Sequence, residues 1–224
     1  PDFENFKMII TPPRYSKLPK RKQEGNLSVI KALKGSRINI DLNSNRFLES
    51  ANISFKEKKI KMTTLNKKAS GYFDIFKENT FTINLFDERG ITNRDPIPYK
   101  IQLIQDQYPQ LYINEPESEI ELGTDQIISI NLEIQDDFGF NSLQLAYEIH
   151  RPLYLKVEPF VSMKRINELN KDSLIQEIRT FWDVEELNLM PQDEVHYHFE
   201  LTDNDNISGP KKTISKKLIA KSPS

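Results

Sequence analysis

The stretch Phe81-Thr82-Ile83-Asn84-Leu85-Phe86-Asp87 alternates largely between apolar and polar side chains and ends in an acidic residue. A second stretch, Tyr197-His198-Phe199-Glu200-Leu201-Thr202-Asp203, repeats this pattern in the second half of the chain. The loops that follow contain Pro96 and Pro210, and the closing strands are predicted at residues 99–103 and 214–219. Alternation with a period of two is typical of a strand with one buried face. The repeat therefore predicts two similar modules, each ending in a strand, an acidic turn, a loop with proline and a final strand.

The rest of the chain has the same all-β pattern, with short runs rich in Ile, Phe, Tyr and Val between turn signals. In residues 128–134 every second side chain is apolar, which indicates a strand that packs on one face only. The clearest strands are predicted at residues 37–42, 51–55, 80–86, 127–135, 143–149 and 195–202. Strands of this length and spacing favour two tandem β-sandwich modules.

Gln105-Asp106-Gln107-Tyr108-Pro109 contains the predicted boundary, because a final strand ends there and a proline stops further pairing. The first module is placed at residues 1–104, with an extended N-terminal segment, and the second at 105–224. The basic stretch from Arg14 to Lys22 is interrupted by proline and is predicted to be an extended edge segment. Residues 160–182 fit both helical and strand patterns; we predict a long insertion with a strand near its end.

Charge and composition exclude several classes of function. The 224 residues contain 31 basic and 33 acidic side chains, which gives a net charge of −2 and no overall field to attract nucleic acid. Cysteine is absent, so disulfides and thiolate metal sites are excluded. No apolar run is long enough to span a bilayer. Because the first residue is not Met, we expect a longer chain that carries any signal or anchor outside this segment.

No local motif of a known catalytic site is present: a glycine-rich phosphate loop, a nucleophile elbow and a zincin helix are all missing. We therefore predict that the chain is not an enzyme. His196 and His198 lie two apart on a predicted strand and point to one face, where they could share a zinc ion. With no third ligand at a suitable spacing, an exposed sheet face that carries two histidines is the favoured interpretation, and no metal site is assigned.

Acidic turns are the main candidates for a functional site. They comprise Asp136 and Asp137 after one strand, Asp203, Asn204 and Asp205 after another, and Asp106 at the predicted boundary. Calcium takes six to eight oxygen ligands, which such loops can supply, and the Asp203–Asn206 run is similar to a cadherin calcium motif. The alternative is that these side chains accept hydrogen bonds from turn backbone. If both loops lie at one end of the second module, they form one polar contact surface.

Trp182 is the only tryptophan, and a lone tryptophan in a sandwich is more often a core residue than a platform for sugars. The sequence thus leaves three hypotheses: a structural or protein-interaction pair, a calcium-dependent adhesion pair and a glycan-binding accessory module. Exposed aromatic residues around Trp182 or along one sheet face are expected only for the third.

Several blocks together resemble the tandem sandwich region of a family of large bacterial coiled-coil membrane proteins of unknown function. The matching blocks are residues 10–15 with Leu18-Pro19, Lys34-Gly35-Ser36, Asp136-Asp137-Phe138-Gly139-Phe140, and Asp203-Asn204-Asp205 with Ser208-Gly209-Pro210-Lys211. Family members often have Pro-Gly-Asp where this chain has Pro191-Gln192-Asp193.

The resemblance implies immunoglobulin-like modules outside the cytoplasm, in the periplasm or cell envelope, tethered to a membrane by sequence outside this segment. It implies no cofactor and no catalytic residues. The predicted function is a non-catalytic module pair that contacts a protein partner or a second copy of itself and binds no nucleic acid.

Overall fold

The computed structural model describes residues 1–156 and 158–223. The chain divides into two compact units, Pro1–Asp106 and Gln107–Ser224, where the sequence predicted the boundary after residue 104. Each unit has its own hydrophobic core of buried side chains.

The first unit, all of which is described, is a sandwich of two five-stranded sheets. Its strands are β1 (Phe3–Thr11), β2 (Arg21–Gln23), β3 (Val29–Leu33), β4 (Arg37–Ser44), β5 (Leu48–Phe55), β6 (Lys59–Lys61), β7 (Thr63–Leu65), β8 (Lys68–Asp74), β9 (Asn79–Asp87) and β10 (Tyr99–Ile104). One sheet has the order β2-β1-β4-β8-β7 and the other β3-β10-β9-β5-β6. Only the β3–β10 pair is parallel among these strands.

The second unit repeats this arrangement within residues 107–156 and 158–223. Its strands are β11 (Gln110–Glu115), β12 (Glu119–Glu121), β13 (Ile127–Gln135), β14 (Phe140–His150), β15 (Val161–Arg165), β16 (Ile175–Asp183), β17 (Glu194–Asp203), β18 (Lys212–Ile214) and β19 (Leu218–Lys221). One sheet has the order β11-β13-β16 and the other β12-β19-β17-β14-β15, with β18 also paired to β17. Here too the short strand β12 runs parallel to the last strand, β19.

The sheet β3-β10-β9-β5-β6 matches the sheet β12-β19-β17-β14-β15 position by position, so β9 corresponds to β17, β5 to β14 and β6 to β15, whereas the other sheet has five strands in the first unit and three in the second. A sheet of the first, second and fifth strands that faces a sheet of the third, sixth and seventh is the immunoglobulin arrangement. The prediction of an all-β chain with two tandem immunoglobulin-like sandwiches is confirmed.

Strict alternation of burial explains why these sequences form sandwiches. Along β17, Val195, Tyr197, Phe199 and Leu201 are completely buried, while the residues between them lie on the outer face of the sheet. A one-residue slip would expose this whole apolar set, so the packing of the core fixes the register of the strand.

The second unit has a longer connection before β15, residues 151–160, than the first unit has before β6, residues 56–58. In residues 160–182 the structure has two strands: β16, which is the predicted strand near the end, and β15, which was missed. The closing strand predicted at 214–219 is also divided, into β18 and β19. Between the two strands, the backbone N–H of Ser215 donates to the carbonyl of Phe199, and the hydroxyl oxygen of Ser215 accepts the backbone N–H of Phe199.

The basic N-terminal segment is only partly an edge strand. Residues 21–23 form β2 at the sheet edge, but Arg14–Ser16 is a 3-10 turn in which Tyr15 and Ser16 are buried. Two further 3-10 turns are Leu153–Leu155 and Glu185–Leu187. No helix of the described residues is long and apolar enough to cross a membrane.

Candidate functional site

The acidic turns at residues 136–139 and 203–206 lie side by side in the second unit. Phe140 is opposite Asp203 in the β14–β17 pair, which brings both loops to the same end of the sheet. Asn204 joins them: its side-chain nitrogen donates to the carbonyl of Phe138 at 2.8 Å, and its backbone N–H donates to the carbonyl of Gly139 at 3.1 Å. The two loops therefore lie at one end of the second unit, which is the arrangement that a shared polar contact surface requires.

Gly139 explains why the two loops can approach so closely. Its φ of +112° is disfavoured for other residues, and a Cβ atom there would lie 3.1 Å from the side-chain nitrogen of Asn204 in the other loop and 2.9 Å from the carbonyl oxygen of Lys171. Asp137 contributes at the edge of this turn, where Oδ2 accepts the backbone N–H of Gln107 at 3.2 Å.

Asp203 and Asp205 are almost completely buried and bind both backbone and a cation. Oδ1 of Asp203 accepts the N–H of Lys211 at 2.8 Å, and Oδ1 of Asp205 accepts the N–H groups of Ile207 and Ser208. The ammonium of Lys211 lies 3.2 Å from Asp203 Oδ2 and 3.0 Å from Asp205 Oδ2. Burial acts to raise the pKa of Asp205, but these N–H groups and the ammonium outweigh it and hold that pKa below its usual value.

Asp87 takes the corresponding position in the first unit, at the end of β9. Its Oδ1 accepts the N–H groups of Ile91 and Arg89 at 2.9 and 3.0 Å, and these bonds lower its pKa. The repeat seen in the sequence thus corresponds to the same structural feature in both units, an aspartate that ends the strand and accepts hydrogen bonds from the following turn.

Asp136 is also buried, but its pKa is raised, whereas those of Asp205 and Asp87 are lowered. Its Oδ2 accepts the N–H groups of Phe138 and Gly139 at 2.9 and 2.8 Å, while its Oδ1 is buried and has no hydrogen-bond partner among the described residues. Burial is the main cause that raises the pKa of Asp136 to about 6, with the charges of Asp137 and Asp203 acting in the same direction.

Asp136→Asn is expected to stabilise the protein at neutral pH by about 1 kcal/mol, since the amide keeps an acceptor and carries no charge. The pKa of Asp136 is higher in the folded state than its usual value near 4, so the free energy of unfolding of the wild type rises as pH falls from about 6 to 4. The Asn variant lacks this pH-dependent rise. Urea unfolding between pH 4.5 and 8, followed by Trp182 fluorescence, measures the difference. Asp136→Ala, which removes the acceptor, is the control and should destabilise. A variant less stable than wild type at pH 7.5 would contradict the expectation.

Asp106, the remaining acidic candidate, is the last residue of the first unit. Its Oδ2 accepts the hydroxyl of Tyr15 at 2.9 Å, which ties the end of that unit to the buried 3-10 turn near its N-terminus. The partner observed for this carboxylate is therefore a structural one.

The histidines lie on the outer face of the β14–β17 pair. His196 and His198 share that face, as predicted, but they bind different glutamates: His196 is 2.8 Å from Glu194 and His198 is 3.2 Å from Glu200. The ring that contacts His196 belongs instead to His150 on β14, with centroids 3.9 Å apart. The sequence missed this pair because only the register of the two strands brings the residues together.

A group of exposed apolar side chains lies between β14 and the end of β15. Among the described residues of this segment they are Tyr154, Leu155, Phe160, Val161 and Met163, and Phe160 is the most exposed, at 79%. Strand β15 is the last strand of its sheet, and so is its counterpart β6 in the first unit. We call this set the apolar edge.

Trp182 is 1% exposed and packs between the rings of Tyr147 and Tyr197. The prediction that it is a core residue is confirmed. A sugar platform built on this tryptophan is therefore excluded.

Fold and sites together define a tandem pair of immunoglobulin-like sandwiches whose acidic turns are closed by internal hydrogen bonds. No family model and no curated protein match the chain. Solved structures with a similar fold include fibronectin(III)-like modules of Clostridium thermocellum CbhA, at 11% identity over 89% of this chain and 90% of that one, with a TM-score of 0.30.

A marsupial T cell receptor matches at 9% identity over 98% of this chain and 74% of that one, with a TM-score of 0.40. The tandem immunoglobulin domains A164-A165 of titin match at 10% identity over 87% and 92%, with a TM-score of 0.28. These similarities concern the fold alone.

Proposed function

We propose that this chain is a non-catalytic pair of protein-interaction modules from a larger bacterial protein, located outside the cytoplasm and tethered to a membrane by sequence beyond this segment. The location is inferred from the turn blocks that resemble the coiled-coil membrane family, above all Asp136–Phe140 and Asp203–Lys211. Each of these blocks closes a loop by internal hydrogen bonds, which supports a structural role for the aspartates of these turns rather than a reactive one.

The apolar edge is the observation that carries the proposal. Edge strands of monomeric proteins are usually protected by charges, and β6 fits this rule with Lys59 and Lys61 on either side of one isoleucine. In β15 the positions that correspond by strand register are Met163 and Arg165, so one of the two lysines is replaced by an exposed apolar side chain. Val161 and Met163, both about half exposed or more, follow directly after Phe160, and the charges of this strand lie only at its end, at Lys164 and Arg165. Exposed apolar side chains clustered at an unpaired edge are typical of a protein contact.

A photo-reactive amino acid at position 160, in the full-length parent protein expressed in its own cells, tests the proposal. We expect a discrete cross-linked protein species, because a partner strand or surface would cover this residue. Leu65, at the edge of the other unit and 70% exposed, is the matched control position and should give no such species. Equal cross-linking at both positions, or none at 160, would contradict a contact at the apolar edge.

The alternative function is that of calcium-binding, cadherin-like adhesion modules. The buried Oδ1 of Asp136 favours it, because this atom has no hydrogen-bond partner among the described residues. The ammonium of Lys211 disfavours it, since it already bridges Asp203 and Asp205. Thermal unfolding with calcium and with a chelator separates the two functions: a rise of several degrees in calcium that Asp203→Ala abolishes would favour adhesion modules.

A further inference from the structure

We propose that Glu148, His150 and His196 form a binding site for a divalent transition-metal ion of the zinc class. The site lies on the outer face of the second unit and is independent of the function proposed for the apolar edge. Each of the three residues places one candidate ligand atom within 4.8 Å of those of the other two.

The register of β14 and β17 builds this cluster. Glu148 is directly opposite His196, and His150 is directly opposite Glu194, so all four side chains lie on one face of the pair. The two imidazole rings meet across the diagonal, with centroids 3.9 Å apart and planes inclined by 23°. Because both strands are held by an unbroken ladder in this region, the ligand positions are fixed by the sheet rather than by a loop.

The two nitrogens of His196 have different surroundings. Nε2 lies 2.8 Å from Oε2 of Glu194, whereas Nδ1 is buried and has no hydrogen-bond partner among the described residues. When a carboxylate accepts the N–H of one ring nitrogen, the other nitrogen is unprotonated and has a lone pair that can bind a metal ion. The same arrangement orients histidine ligands in metal sites. A metal ion at Nδ1 would satisfy an atom that the protein otherwise leaves buried without a partner.

His150 and Glu148 supply the second and third ligands. Nε2 of His150 lies 3.1 Å from Oε1 of Glu148, and both side chains are about one-third exposed or less. Tetrahedral zinc with bonds of about 2.0–2.1 Å places its ligand atoms about 3.3 Å apart. Small rotations of these side chains would close the remaining distance, and a fourth position would stay open to water.

The donor set decides the class of metal. Two imidazole nitrogens with one carboxylate suit zinc, nickel, copper or cobalt, whereas calcium and magnesium prefer oxygen ligands throughout. Lys217 is the competing cation, at 3.2 Å from Oε1 of Glu148. Its side chain is 54% exposed, and an ion pair at such a site contributes little, so an incoming metal ion can displace it.

Titration of the full chain, without any histidine tag, with zinc or cobalt(II) in a calorimeter tests the site. We expect one ion per chain, and for cobalt a visible absorption band from a site with two nitrogen ligands. His196→Ala and His150→Ala should each weaken binding at least tenfold. Calcium and magnesium should give no binding at the same concentrations.

His198→Ala is the matched control, because His198 lies on the same strand and face but binds Glu200 instead. It should leave the affinity unchanged. Fluorescence of the buried Trp182 checks that each variant is folded. The proposal is overturned if wild type binds no zinc, or if His198→Ala loses as much affinity as His196→Ala.

Discussion

Trp182→Ala is expected to lower the free energy of unfolding of the second unit by about 3–5 kcal/mol, the range for removing a large aromatic side chain from a core. The side chain is 1% exposed, and its ring lies 5.0 Å from that of Tyr147 and 5.5 Å from that of Tyr197. Alanine would leave a cavity between the two sheets of the sandwich. A loss of this size is a large fraction of the stability of a domain, about 5–15 kcal/mol.

Hydrogen exchange followed by mass spectrometry measures this loss unit by unit. Peptides from residues 107–223 should lose protection, while those from Pro1–Asp106 serve as the internal reference because Trp182 belongs to the second core only. Tyr197→Phe is the control variant: its hydroxyl is buried without a partner among the described residues, so its removal should cost almost nothing. Unchanged protection in Trp182→Ala would refute its role as the central core residue.

Lys211→Met is expected to destabilise the second unit by about 2–4 kcal/mol at pH 7, because it leaves two buried carboxylates without their cation. Asp203 and Asp205 are 1% and 3% exposed, and the Lys211 side chain only 17%. The pKa of Asp205 lies below its usual value in the folded protein, so its contribution is present at neutral pH and is lost as pH falls through that lowered pKa. The difference between variant and wild type should therefore be largest near pH 7 and shrink below pH 4.

Urea unfolding followed by Trp182 fluorescence reports on this unit alone, since the chain has no other tryptophan. Lys212→Met is the matched control at the next position. Lys212 pairs with Glu200 at 2.6 Å, but its side chain is 48% exposed, and we expect a loss below about 1 kcal/mol. Equal losses of unfolding free energy in the two variants would show that the buried ion pairs of Lys211 stabilise the unit no more than the exposed ion pair of Lys212.

The acidic residues at the ends of β9 and β17 show which contacts a sequence pattern can predict. Both were identified from the repeat, and both accept N–H groups of the turn that follows. Such contacts are local, within about ten residues, so the residue types and their spacing suffice to predict them. The hydrogen bond from Asn204 to Phe138 joins two loops that are far apart in the chain. The sequence allowed these loops to meet at one end of the module but did not predict that they do.

Strand β15 shows where the pattern failed. Its side chains alternate between exposed and half-buried, with Val161 and Met163 pointing outward, so no buried face marks it as a strand. It is held by pairing with β14, from Gln144 opposite Arg165 to Glu148 opposite Val161. An edge strand defined by its neighbour rather than by its own apolar face gives no period-two signal.

The sequence by itself determined the all-β class, the repeat of two sandwich modules, the strands with one buried face and the aspartates that close the turns, because burial period and turn chemistry are local properties of the chain. Only the tertiary structure decided which distant side chains meet. His150 contacts His196, and Lys211 lies between Asp203 and Asp205, because strand register and loop closure set these distances. Register depends on the packing of the whole core, which no single stretch of sequence contains.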